Sequence, residues 1–248
     1  MKLEGNTILI TGGGSGIGRG LAEAFHKLGN KVIIAGRRKD VLDETTKANP
    51  GMLSLELNIQ DPEAIKTFAR QIVGTRPDLN VLINNAGVMR DEDLSHSRVL
   101  TVAEETISTN LLGTIRMTDA FVEHLVAARQ AAIINVSSGL AFVPRVPNPT
   151  YSATKAAIHS YTLSLREQLK GKVEVIELIP PGVKTELTSE LSTRDGYMSL
   201  ADFIHETMAL FAAEPAAQEI CVKQVRPLRF AEEQKQFQEL FRRVNPKS

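Results

Sequence analysis

The chain predicts an α/β fold: a doubly wound parallel sheet of seven strands in a single domain. Three observations lead there. Apolar runs of strand length alternate with amphipathic runs of helix length along nearly the whole sequence. Alternation repeated this often places helices on both faces of a parallel sheet. The length, 248 residues, suits one such domain or two small ones, and no Pro-, Gly- or Ser-rich linker divides it.

The first strand, Thr7–Ile10, leads into Thr11-Gly12-Gly13-Gly14-Ser15-Gly16-Ile17-Gly18 and a helix at Gly16–Leu28. Glycines let a backbone turn tightly and approach a pyrophosphate, which rests on the helix N-terminus. The spacing is T-G-x-x-x-G-x-G rather than G-x-G-x-x-G, because Arg19 takes the last position. A flexible turn without a ligand is the plainer alternative, and it fits poorly between a strand and a helix. The second strand, Lys31–Ala35, ends in Gly36-Arg37-Arg38 before a helix at Lys39–Lys47. A site for NAD places an acidic residue there, whereas arginine accommodates the 2′-phosphate of NADP. Arg37, with Arg38 second, predicts NADP(H), and NAD is the lesser expectation. Two solvated arginines are the alternative, but positive charge at a helix N-terminus is mildly unfavourable.

The alternation continues with a strand at Met52–Glu56 and a helix at Pro62–Val73, then Val81–Asn84 and Val102–Ala127. Next come Ala131–Val136 with Tyr151–Leu169, Val173–Leu178 with Leu200–Ala213, and Glu219–Val222 with a C-terminal helix at Ala231–Val244. In that last helix Phe237, Leu240, Phe241 and Val244 stand at i, i+3, i+4 and i+7, an amphipathic stripe. Packing on the sheet is its plain reading; covering the substrate cleft or docking on a second subunit is the alternative. Two stretches fit neither period: Ala141–Pro149, with three prolines, and the polar Glu186–Ser199. Both follow strand C-termini, where doubly wound sheets bind ligands. They are candidate pocket walls, and a substrate lid is expected around residues 186–213. Met89, Phe142 and Val143 are expected to add apolar wall, and Arg90, Arg145 and Arg194 to flank the cleft. One of these arginines holding an anionic substrate group is weighed against ordinary surface charge, which is favoured.

The chemistry centres on Ser138, Tyr151 and Lys155. Tyr151 and Lys155 are four apart and share a helix face. A tyrosine with a pKa near ~10 is a poor acid or base at neutral pH. A nearby ammonium favours the phenolate and is expected to lower that pKa toward the working range. Ser138, at a strand end, is placed to hold the oxygen that gains or loses the proton. This suits a carbonyl/alcohol pair and requires a hydride carrier, which the glycine turn supplies.

Composition narrows the classes. The chain is 42% hydrophobic and 23% charged, with zero formal net charge and a pI near 7.0. That balance makes no electrostatic case for nucleic acid or an anionic membrane. One cysteine, Cys221, excludes an internal disulfide and fits a reducing compartment. Met1 to Asn6 runs into a short strand rather than a long apolar segment of a signal peptide, and no apolar run approaches ~18 residues. A soluble, cytoplasmic protein is expected. The five histidines are scattered without a Cys/His cluster or H-E-x-x-H, so no metal site is assigned.

These motifs together resemble the core-type short-chain dehydrogenase/reductase family, over nearly the whole chain. The glycine turn Thr11–Gly18, Asn84-Asn85-Ala86-Gly87, Asn110, Ser138, Tyr151-x-x-x-Lys155 and Pro180-Pro181-Gly182-Val183-Lys184-Thr185 stand in the family's order. The resemblance implies a Rossmann-type fold and NADP(H)-dependent, reversible hydride transfer to a small carbonyl/alcohol substrate. It implies that Tyr151 is the acid in reduction and the base in oxidation. Lys155 would lower its pKa and bind the nicotinamide ribose. Ser138 would steady the substrate oxygen, and Asn110 would hold a proton-relaying water. The cofactor would lie along Thr11, Gly12, Gly14, Ser15, Gly16, Ile17 and Gly18, with Asn58 and Ile59 by the adenine. Asn85, Ala86 and Gly87 would pack near the adenosine ribose, and Pro181, Val183 and Thr185 near the carboxamide. Asn58 stands where the family has Asp, and Pro180-Pro181 changes the usual turn. Gly36-Arg37-Arg38 and the double proline are similar to a branch with an oxidoreductase associated with D-alanine esterification of teichoic acids. A homodimer or homotetramer through the long helices is implied too.

A cofactor-binding regulator without turnover is the alternative from another class. Such proteins commonly lose the Tyr or the Lys, and both are present here. Epimerase or dehydratase relatives carry another glycine spacing and a longer substrate domain, both absent here.

Overall fold

The computed structural model describes residues 1–187 and 196–246. Its sheet comprises β1 (Thr7–Thr11), β2 (Lys31–Gly36), β3 (Leu53–Glu56), β4 (Val81–Asn84), β5 (Ala132–Val136), β6 (Glu174–Ile179) and β7 (Glu219–Cys221). The order is β3-β2-β1-β4-β5-β6-β7, and every pairing is parallel. All seven predicted strands are present, each end within one residue of expectation. The chain winds outward from β1 to β3, then returns to β4 beside β1. That reversal opens a crevice at the strand C-termini.

The helices are α1 (Gly16–Lys27), α2 (Lys39–Ala48), α3 (Pro62–Thr75), α4 (Thr101–Ile107), α5 (Gly113–Ala127), α6 (Pro149–Gln168), α7 (Leu200–Ala213), α8 (Arg226–Arg229) and α9 (Phe237–Val244). Local chemistry sets their starts. Asp61 Oδ1 accepts from the N–H groups of Glu63 and Ala64, and Pro62 opens α3 where no N–H partner is needed. Along β1, Ile8 and Ile10 face one core and Leu9 the other, as the two-residue period requires. The first core joins the sheet to α1 and α7 through Leu21, Phe25, Phe203 and Phe211. The second joins it to α3 and α5 through Ile65, Phe68, Met117 and Phe121. No helix among the described residues is long and apolar enough to cross a membrane.

A polar chain threads the second layer. Asn84 Nδ2 donates to Asn135 Oδ1 (2.9 Å) and to Thr118 Oγ1 (3.1 Å), and Asn135 Nδ2 donates to Thr162 Oγ1 (3.0 Å). It joins β4, β5, α5 and α6 in the buried interior.

Three expectations about elements are corrected. The helix expected over Val102–Ala127 is interrupted at Ser108–Leu112 by one π turn, a feature that recurs at functional sites and here contains Asn110. The helix expected from Ala231 starts only at Phe237. Glu232, Glu233, Gln234, Lys235 and Gln236 offer no apolar face to dock, and Lys235 takes a φ of 57° in the turn that replaces it. Of the lid expected around 186–213, α7 is a core helix: Phe203 and Phe211 are buried and Phe211 packs on Phe25 at 6.1 Å. Residues 188–195 of that stretch, Arg194 included, lie outside the described residues.

Candidate active site

A cavity of about 1040 Å³ opens at the crevice. Its first wall is the glycine turn. Gly12 takes a φ of +67°, and at Gly18 an added Cβ would lie 2.2 Å from Gly12 O, so a side chain at either position would force the turn apart. Thr11 Oγ1 accepts from the N–H groups of Asn85 (3.0 Å) and Ala86 (3.1 Å), and Asn85 Nδ2 donates to Thr11 O (3.0 Å). Thr11 and Gly18 therefore shape the turn from behind, whereas Gly12, Gly14, Ser15, Gly16 and Ile17 face the cavity. No acidic residue occupies the first turn of α1. Its N–H groups present unopposed positive potential to the cavity.

Arg37 and Arg38, at the end of β2, line the same wall. Arg37 Nη1 is 3.8 Å from Glu105 Oε1. Arg38 donates to Glu186 Oε2 from both Nη atoms (3.0 Å each) and to Ser15 Oγ (2.8 Å), so it spans the mouth of the crevice. Asn58 and Ile59 follow β3 and line the cavity, as do Asn85, Ala86 and Gly87 after β4. Asn58 Oδ1 accepts from Gln60 N (3.2 Å), which occupies one lone pair of the oxygen expected to face adenine. Pro181, Val183 and Thr185 follow β6 and line the opposite wall. Val183 pairs with Met198, so the chain on either side of the polar stretch is drawn together.

Ser138, Tyr151 and Lys155 meet at the inner end of the cavity. Ser138 follows β5 and caps a single 3-10 turn, its Oγ accepting from Leu140 N (3.1 Å). Tyr151 and Lys155 project from the first two turns of α6, and both are buried. Burial pushes the Tyr151 phenol up to about 12; the facing Ser138 hydroxyl pulls it down, and nearby Tyr197 pushes it further up. Burial pushes the Lys155 ammonium down to about 8, against the upward pull of Glu177. The expectation that Lys155 draws the phenol toward neutrality is corrected for the free protein. Lys155 Nζ is 5.7 Å from the Tyr151 ring centroid and donates to Val136 O (2.8 Å), so desolvation governs the phenol.

Asn110 stands behind the wall, not in it. Its Oδ1 accepts from Val88 N (2.8 Å), and its Nδ2 donates to Val88 O (2.9 Å) and Thr154 Oγ1 (3.3 Å). The side chain pins the loop after β4 to α6. One turn beyond Lys155, His159 Nδ1 lies 2.7 Å from Oε2 of the wholly buried Glu177. Glu219 is close to both, but its two oxygens already accept from Arg229, at 2.8 and 2.9 Å.

Of the expected apolar wall, Met89 faces the cavity but Phe142 and Val143 do not. Phe142 packs on His159 and Arg229, and Val143 lies under α9. Tyr197, within the expected wall Glu186–Ser199, and Val244, of the C-terminal stripe, line the cavity, and the sequence reading missed Leu140, Gln224, Leu228, Arg243 and Pro246, which line it too. No motif marks them; the amphipathic stripe of Phe237–Val244 was the only local signal that this segment packs on something. A second cavity of about 580 Å³ lies at the N-terminal ends of the strands, beside Thr7 and Lys31, and shares no lining residue with the first.

A phosphate turn at the switch point of a parallel sheet, with a buried phenol and amine beside it, marks the class of nucleotide-dependent oxidoreductases. Known proteins agree. The profile of the short chain dehydrogenase family matches residues 6–196. The oxidoreductase DltE of Bacillus subtilis, itself called uncharacterized, is 36% identical over 99% of this chain and 98% of its own length. The 3-oxoacyl-[acyl-carrier-protein] reductase FabG of Aquifex aeolicus is 32% identical over 77% of this chain and 79% of its own. A short chain dehydrogenase from Burkholderia cenocepacia, crystallised with NADP, superposes with a TM-score of 0.82 at 28% identity, covering 98% of this chain and 99% of that one. A 3-ketoacyl-(acyl-carrier-protein) reductase from Brucella melitensis, complexed with NADH, gives 0.80 at 25% identity, covering 88% and 98%. The chain belongs to the short-chain dehydrogenase family. It is an oxidoreductase that works with a nicotinamide cofactor on a small-molecule substrate.

Proposed function

We propose that the chain transfers hydride reversibly between NADP(H) and a carbonyl/alcohol substrate, with Ser138, Tyr151 and Lys155 as its catalytic residues. The observation that carries this is the convergence of a still-protonated, buried phenol and the Ser138 hydroxyl on the inner end of the nucleotide cleft. When bound, the nicotinamide supplies the hydride. Tyr151 gives its proton to the carbonyl oxygen, and Ser138 holds that oxygen as charge develops. In the reverse direction the phenol first gives its proton to solvent, the nearby Lys155 ammonium stabilises the phenolate, and the phenolate then takes the proton of the alcohol. Asn110 serves the reaction by fixing Val88 and α6. The cofactor would lie over Gly12, Gly14, Ser15, Gly16 and Ile17, beside Asn58, Ile59, Asn85, Ala86 and Gly87, and against Pro181, Val183 and Thr185.

Preference for NADP rests on Arg37 and Arg38 at the 2′ position and on the absence of an acid in Gly36-Arg37-Arg38. Arg37→Ala should raise the Kd for NADPH about tenfold or more and leave that for NADH within about twofold, since a charge-assisted hydrogen bond is worth about 1.5–3 kcal/mol. Equal weakening of both removes the 2′-phosphate role. NADPH consumption over aldehydes, ketones and quinones tests turnover itself; cofactor binding without any turnover would favour a regulator. A homo-oligomer is part of the proposal: Leu112 and Leu163 leave exposed apolar surface where α5 begins and along α6, and light scattering of the purified protein checks it.

A further inference from the structure

We propose that the far end of the cleft is an anion subsite built from Arg145 and Arg243, and that the carbonyl substrate carries a carboxylate. This rests on the hydride-transfer reading above and adds the substrate class to it.

The charge distribution is the first argument. Lysines and arginines balance the acids over the whole chain, 29 against 29. Among the described residues that line the cleft, Arg37, Arg38, Arg90, Arg145, Arg243 and Lys155 face a single carboxylate, Glu186. Glu186 is bound to Arg38 at the cofactor end. At the substrate end the acids within ion-pair reach, Glu105 at 4.0 Å from Arg90 and Asp91 at 3.7 Å from Arg145, do not line the cleft, so its walls carry net positive charge, which concentrates anions there.

Arg145 is the second argument. It is 7% exposed, and charged side chains are rarely buried unless paired. Its guanidinium has five N–H donors. Nη1 donates to Asn148 Oδ1, and its one ion-pair partner among the described residues, Asp91, stands 3.7 Å away with a largely exposed side chain. Asp91 Oδ1 meanwhile accepts from Asn148 Nδ2 (2.6 Å). Its remaining donors have no partner among the described residues, and the residue faces the cavity. A carboxylate takes two parallel N–H bonds from such a fork.

The third argument is how firmly the pair is held. Arg145 N donates to Ser152 Oγ (3.2 Å), next to Tyr151 on α6. Asn245 brackets the same residue: its Nδ2 donates to Pro144 O (3.0 Å), and its Oδ1 accepts from Val146 N (2.6 Å). Leu240, Phe237 and Phe241 seat α9 on Val143. The helix thereby presents Arg243 to the cleft, where it has no ion pair or hydrogen bond among the described residues. Leu140, Leu228 and Val244 give apolar wall along the cleft. The matching ligand has a carbonyl at Tyr151, an aliphatic spacer and an acid at the arginines.

The test uses 4-oxobutanoate and 6-oxohexanoate against their methyl esters, with NADPH. Wild type should favour the acids at least tenfold in kcat/KM, and Arg243→Gln and Arg145→Gln should each cut that ratio tenfold or more. Arg242→Gln, exposed and outside the cleft, should leave it unchanged. Equal use of acid and ester by wild type, or a ratio indifferent to both variants, overturns the subsite. If Arg145→Gln lowers Tm yet keeps the acid preference, Arg145 is a structural tie and the assignment fails. Arg243→Gln, on the surface, remains informative if Arg145→Gln does not fold. A binding arm stands apart from turnover: glutarate should raise the Tm of the NADPH-loaded protein, and glutaramide should not. Failure of every carbonyl compound would sink the hydride-transfer reading, while no Tm difference between glutarate and glutaramide would sink the subsite.

Discussion

Lys155→Met should make the cofactor-free protein no less stable at pH 7, although it removes a residue central to the proposed chemistry. Burial lowers the Lys155 pKa from 10.5 to about 8. At about 1.4 kcal/mol per pKa unit, the folded state carries about 3 kcal/mol of ionisation penalty at neutral pH. Methionine removes that penalty and fills a similar volume. It also strips Val136 O of its partner, which costs about 1–3 kcal/mol. The net change at pH 7 runs from zero to a gain of about 2 kcal/mol. The pH dependence is the sharper signature. Below pH 8 both folded and unfolded chains hold the Lys155 proton, and the penalty is present in full. Between pH 8 and 10.5 the unfolded chain still holds it while the folded one has lost it, so wild-type stability rises with pH. The difference should therefore shift by about 3 kcal/mol toward the wild type over that interval, which makes the wild type the more stable protein at its upper end. Urea denaturation of both proteins, followed by far-UV circular dichroism without cofactor, measures the gap. A gap that is the same at pH 7 and at pH 10 would refute the reasoning, since groups common to both proteins cancel in the difference.

Tyr151→Phe should leave NADPH affinity within about twofold of wild type and lower kcat by about 10²–10⁴, the usual contribution of a positioned acid; undiminished turnover in a stopped-flow or plate assay would remove Tyr151 from the mechanism. Because the phenol holds its proton to about 12 and the ammonium only to about 8, kcat/KM for carbonyl reduction should be level from pH 6 to 7.5 and fall through pH 8 as Lys155 neutralises. A fall centred near 6 or below would point to another group. Gly18→Ala should cost about 1–3 kcal/mol by overpacking, because its Cβ would lie 2.2 Å from Gly12 O, and should weaken NADPH binding with it. Tm and fluorescence titration report the two effects separately, and wild-type values for both would mean the turn is looser than the geometry indicates.

The strands were legible because each is a short, almost wholly apolar run between polar helices, the pattern of a sheet buried on both faces. Ser138, Tyr151 and Lys155 were legible because two elements in register, a strand end and a helix start, determine where they go. Gly12 and Gly18 were legible because only a missing side chain lets the turn close. What was not legible depends on contacts between segments distant in sequence. Arg145 reads as surface charge in a proline-rich loop until Asn245, a hundred residues on, folds that loop inward. Phe142 and Val143 read as pocket wall, yet α9 and Arg229 draw them the other way. The Tyr151 pKa was misread for a related reason. Helical spacing fixes that Lys155 is near, but not that its Nζ donates to Val136 O and that burial outweighs its charge.

The amide chain under the cleft has a consequence for how this polypeptide finds one alignment among several. Val81, Leu82 and Ile83 of β4 face Ala132, Ile133 and Ile134 of β5, and aliphatic side chains on both faces would tolerate sliding by a step. Asn84 opposite Asn135 admits a single setting, because any slip would set a carboxamide against hydrocarbon. The pair acts as a key, much as a lone asparagine fixes the stagger of a coiled coil. Replacing both with leucine would leave a sheet that still collapses but no longer indexes itself, and Tyr151 and Ser138 would then meet only in the fraction of molecules that happened to align.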